Sequence, residues 1–394
     1  MKISKLLPLC LGILALEARA SCGQEATPPP APTSVPTAEP TPQPTPAPEP
    51  MPSPPVAPPT APGSAPLQAS NILNPNVSLV GNLLAFAGND RSLPTRAFDL
   101  SEAELGLQSP IDPFARLDAF IAFSREGVDI EETYVTWLTL PASFGLKTGK
   151  FRSNLGKFNR THPPETPFAD RPLAAERFFG EEGLSGVGIS ASYFAPTPFY
   201  LSFDGEVTTN WEEAPLFGEL DESGEVESGG RRRDLGYLFR GTTYHDFSER
   251  TNATLGLTYA RGVHDREGRL SSEVLAADAT VRWKDPRRAI YRAVIWQTEA
   301  YFTRRQEESG SDRSWGGFSY AEYQFSRRWR VGLRADYVDK PVEKGALVYI
   351  TFWPSEFSAL SLQGREIRRP DGRNDLAAFA KLTFNIGPHG AHPF

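Results

Sequence analysis

The chain has 394 residues, 41 Lys and Arg against 48 Asp and Glu, a formal net charge of −7, five His and two Cys. The acidic balance argues against a general nucleic-acid binder, which carries a basic footprint. Cys10 and Cys22 cannot build a disulfide framework or a thiolate metal cage further on, and no apolar run approaches the roughly 18 residues a membrane helix needs.

Lys2 and Lys5 precede an apolar stretch at 6–16, and Ala18-Arg19-Ala20 forms an A-x-A cleavage site. Residues 1–20 therefore read as a secretory signal peptide. Cys22 follows Arg19-Ala20-Ser21, which lacks the apolar residue that lipidation requires. Residues 21–70 read as a disordered linker. Between 28 and 66 about half the residues are Pro, the rest mostly Ala, Thr, Ser and Glu. Such a segment cannot pack a core; it predicts an extended polyproline-II arm on the order of 100 Å long. A tether across the periplasm or to the cell wall is one use for it.

Composition changes at Asn76, and period-2 alternation takes over, bounded by Gly, Pro, Asp and Asn. At 328–338, Trp329, Val331, Leu333, Ala335 and Tyr337 share one face, while Arg330, Arg334 and Asp336 share the other. At 199–210, Leu201, Phe203 and Val207 oppose Asp204, Glu206 and Thr208. Sixteen such segments are predicted, at 76–86, 97–108, 113–124, 128–139, 144–153, 184–194, 199–210, 235–245, 250–261, 273–284, 289–304, 314–325, 328–338, 345–353, 356–367 and 375–386. Most exceed the roughly 5–6 residues of soluble strands and match the roughly 9–11 of strands that cross a bilayer at a tilt.

The connections alternate in length, as they do in a transmembrane barrel. Short periplasmic turns are expected at 109–112, 141–143, 195–198, 246–249, 285–288, 326–327 and 354–355. Longer outer loops are expected at 89–96, 154–183, 211–234, 262–272, 305–313, 339–344 and 368–374. Tyr200, Trp211, Tyr259, Trp283, Trp315, Trp329, Tyr337 and Trp353 fall near strand ends, where interface girdles belong. The fold class is thus all-β: an outer-membrane antiparallel barrel of about sixteen strands spanning 71–394. Phe394 supplies the terminal aromatic that outer-membrane assembly favours, although 387–393 separates it from the last strand.

The faces predicted to point inward carry Asp204, Glu206, Asp278, Glu299, Glu322 and Asp336 together with Arg282, Arg330, Arg334 and Lys381. The 154–183 loop adds Lys157, Arg160, Arg171 and Arg177 with Glu165, Asp170, Glu176, Glu181 and Glu182. Opposed charges across a narrow aqueous section would orient polar solutes; alternatively they pair and fix the loop to the wall. Face parity on the fourth to sixth strands stays ambiguous. His389, His392 and the terminal carboxylate offer a weak metal site without a fourth ligand. His162 lies in the 154–183 loop. The chain has no G-x-S-x-G, H-E-x-x-H or P-loop in the barrel, so the expectation is not an enzyme. No cofactor is implied.

Glu132-Thr133-Tyr134-Val135-Thr136-Trp137, Gly149-Lys150-Phe151, the Pro-rich loop, Ala175-Glu176-Arg177-Phe178-Phe179 and Gly186-Val187-Gly188-Ile189-Ser190 follow one another in order. This stretch resembles the phosphate-selective (O/P type) porin family. The resemblance implies a sixteen-stranded barrel, often trimeric, whose third outer loop folds inward as a constriction. The strand count independently makes 154–183 the third outer loop. The resulting expectation is passive diffusion of small polar or charged solutes, anions among them, through a narrowed lumen. Expected partners are outer-membrane lipid and lipopolysaccharide, the assembly machinery, the solutes and possible homotrimer mates, with no nucleic acid. The alternatives are a plugged structural barrel or a metal-uptake-associated receptor. A full TonB-dependent receptor would need about 22 strands and a plug domain, for which the chain has no room.

Overall fold

The computed structural model describes residues 75–387, apart from 91–92, 94–95, 126, 212, 221–225, 228–233, 266–269 and 289. The signal at 1–20, the linker at 21–70, His389, His392 and Phe394 lie outside the described residues.

The strands are β1 (Asn76–Gly88), β2 (Phe98–Asp112), β3 (Ala115–Phe123), β4 (Val128–Trp137), β5 (Phe144–Arg152), β6 (Ser185–Phe194) and β7 (Tyr200–Thr209). After two short strands, β8 (Glu219–Leu220) and β9 (Val226–Glu227), come β10 (Leu235–Asp246), β11 (Thr251–Val263), β12 (Ser271–Lys284) and β13 (Ala293–Glu307). The remainder are β14 (Gly310–Ser326), β15 (Trp329–Asp339), β16 (Val342–Ser355), β17 (Ser358–Arg368) and β18 (Asn374–Ile386). β8 and β9 pair only with each other. The other sixteen form one closed antiparallel barrel, sealed where β1 meets β18 in the register Leu79↔Ile386 to Gly88↔Ala377. Closure pairs every ladder, which is what a sheet needs in hydrocarbon. Among the described residues, no helix is long and apolar enough to cross a membrane.

Alternation decides which face is which. Leu255, Leu257 and Tyr259 of β11, Leu333 of β15, Val348 and Ile350 of β16 and Leu360 and Leu362 of β17 are exposed on the outside. Their neighbours Thr258, Arg334, Tyr349 and Ser361 are buried on the inside. An apolar exterior around a polar interior is the inverse of a soluble protein and the arrangement of a transmembrane barrel. Exposed aromatics ring the turn end (Phe114, Phe144, Phe199, Tyr200, Phe247, Trp329, Phe357). Toward the other end, Trp315 stacks between Phe302 and Tyr337, with ring centroids 6.3 and 4.6 Å away.

Three details differ from the sequence expectation. Trp211 is no girdle residue: it is fully buried and its indole N–H donates to Ser153 Oγ at 3.0 Å. Trp353 turns inward, with the Arg330 guanidinium 5.3 Å from its ring. The outer loops expected at 305–313 and 339–344 are tight hairpins, because the β13–β14 ladder continues to Glu307↔Gly310 and the β15–β16 ladder to Asp339↔Val342. Ladder hydrogen bonds do not depend on side-chain polarity, so polar residues prolong these strands beyond the apolar band.

Candidate functional site

Residues 153–184, between β5 and β6, fold into the barrel as a compact insert. Two single 3-10 turns, Phe158–Arg160 and Pro163–Glu165, precede the short helix α1 (Leu173–Phe179). Pro164 and Pro172 suit such tight turns and helix starts, and Gly180, at φ 72°, ends α1 in a backbone conformation that a Cβ disfavours.

The insert is amphipathic in three dimensions. Leu155, Phe158, Phe168, Leu173, Phe178 and Phe179 bury against inward residues of the wall. Phe158 meets Phe318 edge-on at 5.3 Å, Phe168 meets Tyr320 at 5.1 Å and Tyr349 at 5.9 Å, and Phe179 meets Tyr301 at 5.1 Å. Tyr349 can lie over β15 because Gly332 faces it; a Cβ there would sit 2.2 Å from the Tyr349 ring. The segment after β7 packs on top: Leu216 N–H donates to the Phe178 carbonyl at 3.0 Å, and Arg305 donates to the Pro215, Leu216 and Gly218 carbonyls.

Polar contacts tie the insert to strands around the barrel. Backbone N–H groups of Asn154 and Phe158 donate to Glu206 (3.1 Å) on β7 and Glu299 (2.7 Å) on β13. Arg334 on β15 donates to Asp170 Oδ2 at 3.0 Å and Asp336 at 2.8 Å, and lies 4.4 Å from the Phe168 ring centre. Arg365 on β17 also donates to Asp170, at 2.7 Å. Burial penalises the Asp170 charge, but Arg334 and Arg365 outweigh it and hold the carboxyl below its usual range. Lys381 on β18 donates to the carbonyls of Thr166 (2.7 Å) and Phe168 (3.1 Å). Gln363 on β17 donates to Pro167 O and accepts from Ala169 N–H.

Arg240 on β10 reaches across β11 to form a two-pronged ion pair with Asp278 on β12, at 2.6 and 3.0 Å. The intervening residue is Gly256, where a Cβ would meet Arg240 Nη2 at 2.1 Å and Asp278 Oδ2 at 2.3 Å. A bare backbone at that position is what allows the pair to span three strands.

Thus Glu206, Asp278, Glu299, Arg334, Asp336 and Lys381 are all buried, each held by the insert or by a wall partner. Arg330 pairs with Glu322 at 3.2 Å, and Arg177 with Glu343 at 3.0 Å. The residues that stay half-buried in the lumen are Lys157, Arg160, Arg171, Asp204 and Arg282. Lys157 interacts with Arg282, and Arg160 with Asp204 and with Lys147 of β5, all toward the turn end. Burial, with Arg282 adding, pushes the Lys157 ammonium down to about 8 against the opposing pull of Glu299 and Asp278. Arg171 lies 5.3 Å from the Phe158 ring and, chiefly through burial, is lowered to about 10.

On the far side, β2 and β4 present Glu102, Glu104, Glu131 and Glu132, none more than 8% exposed. His162 Nδ1 faces Glu104 and Glu131 oxygens at 2.5 Å each, and Nε2 faces Glu132 at 2.9 Å. Arg152 donates from its backbone to Glu132 Oε1 at 2.6 Å and from its side chain to Glu131 at 2.7 Å. Burial opposes a charge on His162, but the three carboxylate hydrogen bonds outweigh it and hold its pKa well above the ordinary value. Strict alternation cannot put Glu131 and Glu132 on one face, so periodicity alone does not gather these acids. A β-bulge does: Phe120 pairs Glu132 and Ile121 pairs Ile130, leaving Glu131 unpaired and turned inward. Two successive acids inside a strand are the signal that could have exposed the bulge.

Above the insert lies an open vestibule of about 1270 Å³, lined by both signs of charge, including Asp99, Glu102, Glu176, Glu182, Arg177, Arg305 and Lys340.

No family model matches the chain. An uncharacterised protein of Aquifex aeolicus (strain VF5) is 32% identical over 345 residues, covering 76% of this chain and 70% of that protein. The chain belongs to the family of that protein. Among solved structures, OprB of Pseudomonas putida is similar with a TM-score of 0.56 at 12% identity, covering 79% of this chain and 94% of OprB. An anion-selective porin from Comamonas acidovorans gives 0.53 at 12% identity, covering 79% and 100%. OmpT of Vibrio cholerae, in its trimer form, gives 0.51 at 8% identity, covering 79% and 99%. The fold is that of an outer-membrane porin barrel.

Proposed function

We propose that the chain is an outer-membrane porin through which small polar and charged solutes diffuse passively, past the insert at 153–184. The observation that carries this is the lumen itself. An apolar exterior encloses an interior lined with charge, and a charged vestibule leads down to an insert that narrows the barrel. Selection works by width and field at such a waist. Toward the turn end, Lys147, Lys157, Arg160 and Arg282 outnumber Asp204 among the half-buried charges. That local excess favours anions, in keeping with the resemblance to phosphate-selective porins and the likeness to an anion-selective one. The chemistry needs no enzyme step and no cofactor.

The placement that follows is the outer membrane of a Gram-negative bacterium, with the short turns and the Pro-rich arm at 21–70 in the periplasm, after removal of 1–20. The exterior band suits lipid, and the loop end suits lipopolysaccharide. Assembly machinery would insert the barrel, and a homotrimer is the expected assembly.

A second reading has its own observation. The insert bonds to β2, β4, β7, β10, β13, β15, β17 and β18, nearly the whole circumference. A loop so fastened could close the lumen, leaving a plugged barrel that anchors the arm. Planar-bilayer recording of folded, detergent-extracted protein under a KCl gradient separates the two. Discrete conductance steps with an anion-selective reversal potential are expected. Silence from a barrel that is demonstrably folded would sink the porin reading and leave the plug.

A further inference from the structure

The carboxylate cluster on β2 and β4 brings four acids together in one dry site. Glu102, Glu104, Glu131 and Glu132 are each nearly excluded from water; Arg152 and His162 contact the cluster, and Lys381 interacts with Glu102. Carboxylates crowded into a dry site either hold protons or take up a cation. The donor atoms are already gathered: one oxygen each from Glu104 and Glu131 and a ring nitrogen of His162 lie within 4.8 Å of one another.

Two further observations point to a ligand. Glu102 stands two residues before Glu104 on the same inward face of β2 and interacts with Glu131 and Glu104; its Oε1 is buried with no hydrogen-bond partner among the described residues. His162 meets Glu104 and Glu131 through Nδ1 while Nε2 is held by Glu132, whose other oxygen accepts from Arg152 N–H. One imidazole nitrogen turned to a ligand set and the other fixed by a hydrogen-bonded carboxylate is how proteins orient a metal-binding histidine.

We propose that Glu104, Glu131 and His162 Nδ1, with Glu102 as the fourth donor, bind one divalent transition-metal cation of the Zn²⁺ or Mn²⁺ class on the floor of the vestibule. One imidazole nitrogen among carboxylates favours that class over Ca²⁺, which takes oxygen donors. Binding displaces any proton that the ligand set holds, so the affinity falls in acid. Because His162 belongs to the insert and the three acids to the wall, the ion joins the two. This site stands whether or not the barrel conducts.

The test uses the folded mature chain carrying His389→Ala and His392→Ala, so that the terminal histidines cannot contribute. After EDTA treatment, ZnCl2, MnCl2 and CaCl2 are titrated by calorimetry, and bound metal is counted by elemental analysis. The expectation is one Zn²⁺ or Mn²⁺ per chain. Affinity should fall at least 10-fold in Glu102→Gln and further in His162→Gln. Heat-modifiable electrophoretic mobility checks folding, and Glu102→Gln is the key variant because it leaves the His162 hydrogen bonds in place. No saturable binding, preference for Ca²⁺, or binding unchanged in Glu102→Gln and His162→Gln would each overturn the proposal.

Discussion

The insert meets the barrel along two seams of different chemistry. Against β13–β16 the contact is largely aromatic: Phe158, Phe168 and Phe179 set against Phe318, Tyr320, Tyr349 and Tyr301. Against β2 and β4 it is ionic: His162 set among Glu104, Glu131 and Glu132. Area burial is indifferent to protons and salt, whereas a histidine among carboxylates depends on its own charge. The aromatic seam is therefore the permanent attachment, and the ionic seam is the one that solution conditions can loosen. Asp170 stands at the edge of the aromatic seam, where Arg334 and Arg365 carry a charge contact into otherwise apolar surroundings.

The largest effect is expected where the two chemistries meet. Arg334→Ala leaves Asp170 and Asp336 facing each other without the buried guanidinium and removes its contact with the Phe168 ring; loss of one partner of a buried pair costs about 3–5 kcal/mol. Hydrogen exchange across 166–173 should show the insert detached there while the barrel stays folded; unchanged protection would mean that the aromatic rings suffice alone.

Phe168→Ala empties the centre of the aromatic seam, at about 3–5 kcal/mol for a buried Phe. It should loosen 166–179 and leave 158–163 protected. If both regions loosened together, the seams would not be separate.

Gly256→Val drives a side chain into the Arg240–Asp278 pair, an overpacking cost of about 1–3 kcal/mol. A lowered unfolding temperature is expected, with Gly256→Ala intermediate.

The gentlest probe is pH. The folded pKa of His162 is raised, so its contribution is fully present below the ordinary histidine value of about 6.5 and is lost as pH rises through the folded value. Glu165, lifted to about 7 mainly by burial, acts with the same sign, its neutral form being favoured in the fold up to that pH. The groups facing His162 are Glu104 of β2, Glu131 and Glu132 of β4, Arg152 of β5 and the Phe120 ring of β3. In the chain stripped of metal with EDTA, proteolysis at 160–165 should accelerate and amide protection there should drop on going alkaline, while the protection of 166–179 stays constant. His162→Gln should remove most of that response, leaving the share that Glu165 carries, and a response undiminished in it would move the switch elsewhere.

Most of the barrel was legible because alternation is local. Each of the sixteen expected spans overlaps an observed barrel strand, and a long connection separates β5 from β6. What escaped was non-local or irregular. The bulge at Glu131 breaks the period that face assignment relies on. Arg152 and Arg240 are as inward as Arg334, but their partners Glu182 and Asp278 are set by the tertiary path. Phe168 reads in sequence as one more loop aromatic; only the inward fold of the insert gives it Tyr320 and Tyr349. Periodicity identifies a face and does not say which charges on it will pair.

Barrel closure has a consequence in time. Three anchors of the insert, Gln363, Arg365 and Lys381, belong to β17 and β18, about two hundred residues after it in the chain. β18 is also the strand that seals against β1. The insert therefore cannot take up its final contacts until the last strands arrive. Closing the cylinder and completing the seat of the insert thus draw on the same last strands.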